Sequence, residues 1–513
     1  MTRAEIEIGG IRIGNKDDEQ SQQSSSTNSP FHSLILGNFS GNHSQPPSFK
    51  PRAIDRDNFD EVMLAIAPTL TICPTEDQSQ SIHLTFKELE DFEPDALYTS
   101  LNVFSELRTL RRKLSNNATF ETAAREINAW QEISQDKNNR KDSISTQFPE
   151  FETEITEGGS LLDSLLSETE HRQEEQITNA GDNLAKTLIQ QVVAPYILPG
   201  THPKQAELVA KIDDSISGLM NSILHNPDFQ ALESSWRSLY LSVKTIKTDT
   251  KLKLFIVNTT KQSLIDNLEG HDLKSTTTYK KLIEPFTSIA GCKPWSLIVG
   301  DYYFGDSNED LLFLEKIGLL AQESNATFVG AAKPELIGGK NLGEEPDVDT
   351  WNNQRDEKYL TAWSDLRSLK QSSHIALTFP RILSRLPYGE KTKSIESFSF
   401  EEMSGSEHDK YLWGNSAYSL LILIAESYDQ YGWQFTPGKN NELSNLPAHS
   451  FEQDDDTELK PCAETYLTER SAEKLLENGL LPIWSILRSD SIRVGPFTSI
   501  HSTNQLIQGR WLS

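Results

Sequence analysis

The chain has 513 residues, with 75 acidic and 48 basic side chains and a net charge of −27. That length predicts about two to four domains, and so acidic a surface repels nucleic-acid phosphates and anionic membranes, so neither is an expected partner. The longest apolar run, Tyr418 to Ala425, is far short of the roughly 20 residues that span a bilayer.

Residues 1–30 pair a short alternating stretch, IEIGGIRIG, with a low-complexity run, NKDDEQSQQSSSTNSP, which is expected to be disordered. A first folded unit is predicted over 31–130. In it Leu34, Ile35 and Leu36 form a buried strand ended by Gly37. Phe59, Val62, Met63 and Ile66 share one helix face closed by Pro68, and Ile82, Leu84 and Phe86 alternate as a strand. Leu97, Leu101, Phe104, Leu107, Leu110 and Leu114 recur at helical spacing.

Residues 131–183 are polar and charged and read as a flexible linker carrying a short amphipathic helix at 160–169. Its Leu161, Leu162, Leu165 and Leu166 fall on one stripe after two glycines. A second unit is predicted over 184–513. Long helical patterns (LAKTLIQQVVAPYI, then QAELVAKI to SLYLSV) precede the strands KLKLFIVN, WSLIVGDYYFG and ATFVGAA, with the apolar helix DLLFLEKIGLLAQESN between the last two. Later come HIALTFPRIL as a strand, YLWGNSAYSLLILIAESYDQYGW as a helix, and ETYLTERSAEKLLENGLLPIW as a strand–helix pair stopped at Gly479. Such alternation predicts the α/β class: two α/β units with mixed, largely parallel sheets covered by helices. Trp236, Trp295 and Trp413 each sit in an apolar pattern and are expected in the core.

Chemistry-bearing motifs are sparse. GGKNLGEE lacks the spacing of a phosphate loop, ILGNFSGN lacks the dinucleotide pattern, and no G-x-S-x-G or HExxH occurs. No cofactor and no metal site is expected. Cys73, Cys292 and Cys462 are far apart and odd in number, which predicts free thiols in a reducing compartment. MTRAEIEIGG has no apolar leader, so a cytoplasmic location is expected. Asp301 follows the strand residues Leu297 to Val299, where α/β enzymes often keep catalytic groups. With no His or Lys partner in its motif it reads rather as the cap of a turn.

Several of these blocks carry a resemblance. LILGNFSG, PRAIDRDNFDEVM and ELEDFEPDALY resemble the small subunit of the type VI secretion contractile sheath. FQALESSWRSLYLSV, WSLIVGDYYFG, IALTFPRILSRLPYG, YLWGNSAY and CAETYLTER follow in order and resemble the large subunit. The resemblance implies a structural protein and not an enzyme. Its implied partners are other sheath subunits, as a homo- or hetero-oligomer, an inner tube protein, a baseplate and a AAA+ disassembly ATPase. SLLDSLLSET resembles the helix that such an ATPase grips, which would make Leu161, Leu162, Leu165 and Leu166 a recognition face. The resemblance implies that the two subunits are fused here, and the large-subunit resemblance ends early, at a chain expected to be shortened at its C-terminus. A sheath-associated cap, baseplate or regulatory paralogue that does not polymerise stays open as an alternative. So, more distantly, does an α/β enzyme with a site near Asp301.

Overall fold

The computed structural model describes residues 29–42, 49–73, 81–123, 205–268, 272–287, 293–351, 355–453 and 456–512. In chain order its strands are β1 (Phe31–Gly37), β2 (Arg52–Ile54), β3 (Thr69–Ile72), β4 (Ile82–Thr85), β5 (Leu252–Asn258), β6 (Leu297–Phe304), β7 (Thr327–Ala332), β8 (Ile375–Phe379), β9 (Ile382–Leu383), β10 (Trp413–Gly414), β11 (Glu442–Leu443), β12 (Ser450–Gln453), β13 (Asp456–Leu459), β14 (Leu481–Ser485) and β15 (Ile492–Val494). The helices are α1 (Phe59–Ile66), α2 (Pro94–Ser100), α3 (Ser105–Ser115), α4 (Gln205–Leu224), α5 (Pro227–Thr245), α6 (Lys261–Leu268), α7 (Glu284–Thr287), α8 (Asn308–Glu323), α9 (Glu357–Ser368), α10 (Ala417–Tyr431) and α11 (Glu469–Glu477).

Contacts divide the chain into two compact units, each assembled from separated stretches. One comprises Met1–Pro68, Ala231–Leu386 and Gly405–Ser513, the other Thr69–Gln230 and Pro387–Ser404. The first holds a nine-stranded sheet of order β11-β15-β14-β8-β7-β6-β1-β5-β2. Its centre is parallel: β1 pairs with both β5 and β6, and β6-β7-β8-β14 continue in the same sense. Toward the edges the pairings β2–β5, β14–β15 and β15–β11 are antiparallel. The α/β class with a largely parallel, helix-covered sheet therefore holds.

Strands in the middle of such a sheet are covered on both faces, which is why their sequences read as unbroken apolar runs. Every residue of β1, FHSLILG, is buried, as is every residue of β7, TFVGAA. Side chains alternate between faces. Leu34 and Leu36 join a core with Phe304 and Phe328 and with Phe313, Leu314 and Ile317 of α8. Ile35, one step out of phase, faces the opposite side of the sheet, where α10 packs along β1, β6 and β7. Helix α10 is buried from Ala417 to Ala425, which accounts for its hydrophobicity all round. The predicted core tryptophans are all buried: Trp236 and Trp295 are 0% exposed and Trp413 is 6%.

The second unit is smaller. It contains the β3–β4 hairpin, helices α2, α3 and α4, and the first residues of α5. Phe86 stacks on Phe92 at 4.0 Å, and Phe229 meets Phe92 edge-on at 5.6 Å. Arg111 of α3 donates to Asp213 of α4 through Nε at 2.5 Å and Nη2 at 3.2 Å. Segment 387–404 packs Phe398 against Tyr98 at 4.8 Å, and the amides of Glu396 and Ser397 donate to Asp95 at 3.1 and 3.0 Å. The leucine-spaced stretch 97–114, expected as one helix, is two: a 3₁₀ turn over Asn102–Phe104 separates α2 from α3. Leu101 is extended there and is buried.

Candidate functional site at the seat of the first strand

Strand β1 lies in the sequence more than 200 residues before the two strands that flank it, so the sheet is closed by a segment brought in from a distance. Its start is held by aromatic and cationic side chains. The Tyr428 hydroxyl donates to the Ser29 carbonyl at 3.1 Å, Trp433 Nε1 donates to the same oxygen at 2.5 Å, and Arg510 donates to Ser29 Oγ at 2.9 Å. The Phe31 ring lies 5.1 Å from that of Tyr428 and 5.8 Å from that of Trp433. Along its body Phe31 to Gly37 register with Leu252 to Asn258 on one side, and Ser33 to Leu36 register with Leu297 to Gly300 on the other.

The turn after β1 is held just as firmly. Asn258, the last residue of β5, accepts through Oδ1 from the amides of Phe39 at 2.9 Å and Ser40 at 3.2 Å. The Thr259 amide donates to the Gly37 carbonyl at 2.8 Å. Trp236 Nε1 donates to the Phe39 carbonyl at 3.0 Å, while the Trp236 ring meets Phe39 edge-on at 5.5 Å and Phe59 at 5.7 Å. A Cβ on Gly37 would come within 3.0 Å of both Asp301 Cβ and the Phe39 ring, so glycine permits this approach of backbone to side chain.

Two titratable groups border the seat. His32 is buried in β1 between the rings of Phe255, at 5.2 Å, and Trp295, at 6.3 Å. Burial, then Lys293 and Lys253, lower its pKa to about 4. Asp301 does not cap a turn. Strand β6 continues through it to Phe304, with a register irregularity between Val299 and Tyr303. Burial pushes its pKa up to about 6, against hydrogen bonding from Ser235, Asn415 and Tyr418. These neighbours are hydroxyls and an amide. Asn415 in turn donates to the Tyr302 carbonyl at 3.2 Å, which ties the start of α10 to β6.

Sequence reading singled out the blocks containing Trp236, Asp301 and Tyr418, and the structure brings all three to the end of β1. It gave no individual role to Ser29, Asn258, Tyr428, Trp433 or Arg510. For Asn258 a signal existed: a polar amide at the end of an apolar parallel strand must accept or donate somewhere. The proposed recognition residues Leu161, Leu162, Leu165 and Leu166 lie outside the described residues. Among the described residues no group of His, Cys, Asp and Glu is arranged to hold a metal ion, and no helix is long and apolar enough to cross a membrane.

In this nine-stranded α/β sheet an interior strand comes from a distant stretch of sequence, so two stretches make one core. The model for the EvpB/VC_A0108 tail sheath N-terminal domain matches residues 206–504, more than half of the chain. The type VI secretion system model for VipA (VC_A0107 or Hcp2) matches residues 12–146, which include β1. The type VI secretion system sheath protein TssC1 of Pseudomonas aeruginosa is 32% identical over 345 residues, which cover 64% of this chain and 68% of TssC1. The chain belongs to the type VI secretion tail sheath family, and it joins small-subunit and large-subunit sequence in one polypeptide. It is a structural component of the contractile sheath, and other sheath subunits are its partners.

Proposed function

We propose that this chain is a fused protomer of the sheath, which assembles in the cytoplasm around an inner tube protein, starts from a baseplate and is dismantled by a AAA+ ATPase. The observation that carries the reading is the seat of β1: a strand from the VipA-matching region is hydrogen-bonded on both sides by strands of the tail-sheath region. A protomer so built supplies β1 to its own sheet. The side chains around Asp301 are read as structural: the carboxyl lies among Ser235, Asn415 and Tyr418, and no histidine, lysine or second carboxylate belongs to that set. Negative-stain electron microscopy of the purified chain, with and without the inner tube protein, tests the proposal. Hollow helical tubes in either condition support it. Discrete particles in both reject it in favour of a cap, baseplate or regulatory role.

The leucine stripe Leu161, Leu162, Leu165 and Leu166, within a linker at 131–183, is proposed as the handle for the ATPase. An exposed apolar stripe needs a cover, and a neighbour in the assembled sheath or the ATPase after contraction would provide it. Replacing Leu162 and Leu165 with Asp should abolish ATPase binding and leave the melting temperature nearly unchanged. Unfolding of the double variant would identify the stripe as ordinary core.

A further inference from the structure

In the first unit a cavity of about 390 Å³ opens beyond the carboxyl ends of β6, β7 and β8, lined by Tyr303, Lys333, Phe379 and Arg381 and closed by Lys340, Leu342 and Asp409. Its size falls within the range of small-molecule sites, roughly 300–1,000 Å³. Its position is where open parallel sheets receive ligands.

One wall of the cavity is preorganised. Arg381 donates through Nε to Glu464 Oε2 at 2.9 Å and through Nη2 to Oε1. The Arg381 amide also reaches Oε2, at 3.3 Å, and the His408 ring reaches Oε1 at 2.9 Å. Burial pushes the Glu464 carboxyl up, but Arg381 and His408 outweigh it and hold it at about 2. Glu464 is therefore fully engaged, and its side chain is 3% exposed against 37% for Arg381. The Nε–Nη2 edge of the guanidinium is committed to Glu464, and Arg381 also lines the cavity. Lys333 and Lys340 are exposed at the rim, and Phe379 and Leu342 are buried beneath it. Asp409, which accepts from Asn341 Nδ2 at 3.1 Å, and Glu335 supply negative charge on the same lining.

We propose that this cavity binds a small carboxylate or phosphate monoester that also carries a hydroxyl or ammonium group. The anionic end meets Arg381, Lys333 and Lys340, since a guanidinium fixed by a buried carboxylate presents its remaining donors at no further ordering cost. The hydroxyl or ammonium end meets Asp409 and Glu335, which would repel a polyanion. The apolar stem lies against Phe379 and Leu342. The site is independent of the sheath reading.

Isothermal titration calorimetry of the full chain at neutral pH, with L-glutamate and with glycerol 3-phosphate, tests this. Sodium chloride at matched ionic strength and glycerol serve as controls. At least one probe should bind at one per chain. The double variant Lys333→Ala/Lys340→Ala should weaken it roughly tenfold or more, the effect of losing charge-assisted hydrogen bonds. Arg381→Lys, which keeps the charge on Glu464 but loses the fork, should weaken it comparably. The ligand-free melting midpoint of each variant separates loss of ligand from loss of fold. No heat with either probe at millimolar concentration overturns the proposal, as does binding that survives the double lysine variant. If that variant blocks sheath assembly while neither probe binds, an acidic side chain of a neighbouring copy belongs in the cavity, and the small-molecule site is wrong.

Discussion

Trp236 does two things at once: its ring fills the space between Phe39 and Phe59, and its indole N–H satisfies the Phe39 carbonyl. Trp236→Phe keeps most of the ring and removes the donor. It should lower stability by about 1–3 kcal/mol, the cost of leaving a buried carbonyl unpaired, read from urea unfolding. A change near zero would show that the carbonyl finds water. Asp301 gives a prediction in pH. Its folded pKa of about 6 lies above the ordinary carboxyl value, so the folded state takes up a proton that the unfolded chain releases. Its contribution to stability is full below about pH 4 and is lost as pH rises through 6. Asp301→Asn should therefore be more stable than the natural chain at pH 7, by on the order of 1 kcal/mol, with the advantage fading toward pH 4. His32 titrates in the same window with the opposite sign: its folded pKa is depressed to about 4, so it loses stability as pH falls from 6.5. Taking the difference between variant and natural chain at each pH cancels it.

At the scale of elements, apolar runs and helical spacing locate β1, β5, β6, β7 and helices α1, α8 and α10, because each buries a continuous or periodic apolar surface. Short strands escape such reading. Strand β2 (Arg52–Ile54) is an edge whose burial is confined to Ile54, and β9 and β10 have two residues each. Their existence depends on partners, not on their own pattern. The two-helix break at 102–104 is equally illegible, since the leucine spacing continues across it. Nor does local pattern reveal that β1 belongs between β5 and β6; that is a fact of long-range pairing. Ile35→Asp tests the consequence. A charge in a strand covered on both faces has no solvent to meet, and the variant should lose soluble expression. Leu64→Asp, on the exposed side of α1 at 57% exposure, should be tolerated.

For the whole molecule, each compact unit draws residues from both the VipA-matching and the tail-sheath-matching regions. Neither stretch of sequence then carries a finished core by itself. Without the segment before residue 124, β5 and β6 would lie beside an empty slot with two open edges, a recognised route to aggregation. Residues 1–123 and 205–513 expressed separately should each be insoluble or unfolded, and co-expression should recover a soluble complex that purifies together. Soluble, cooperatively melting fragments would refute this. At concentrations too low for assembly, the cut complex should melt at a temperature that rises with concentration, whereas the intact chain should melt independently of it, as mass action requires.

The order of β1 in the chain sets a timetable for synthesis. Strand β1 leaves the ribosome first among the sheet strands, but β6 follows only some 260 residues later, a wait on the order of 10–50 s at ordinary rates of translation. Until β5 emerges, about 45 residues ahead of β6, the apolar heptapeptide FHSLILG has neither flanking ladder. The nascent chain must therefore shelter it, and its yield in the cell should be limited by chaperone supply during elongation more than by the stability of the finished fold.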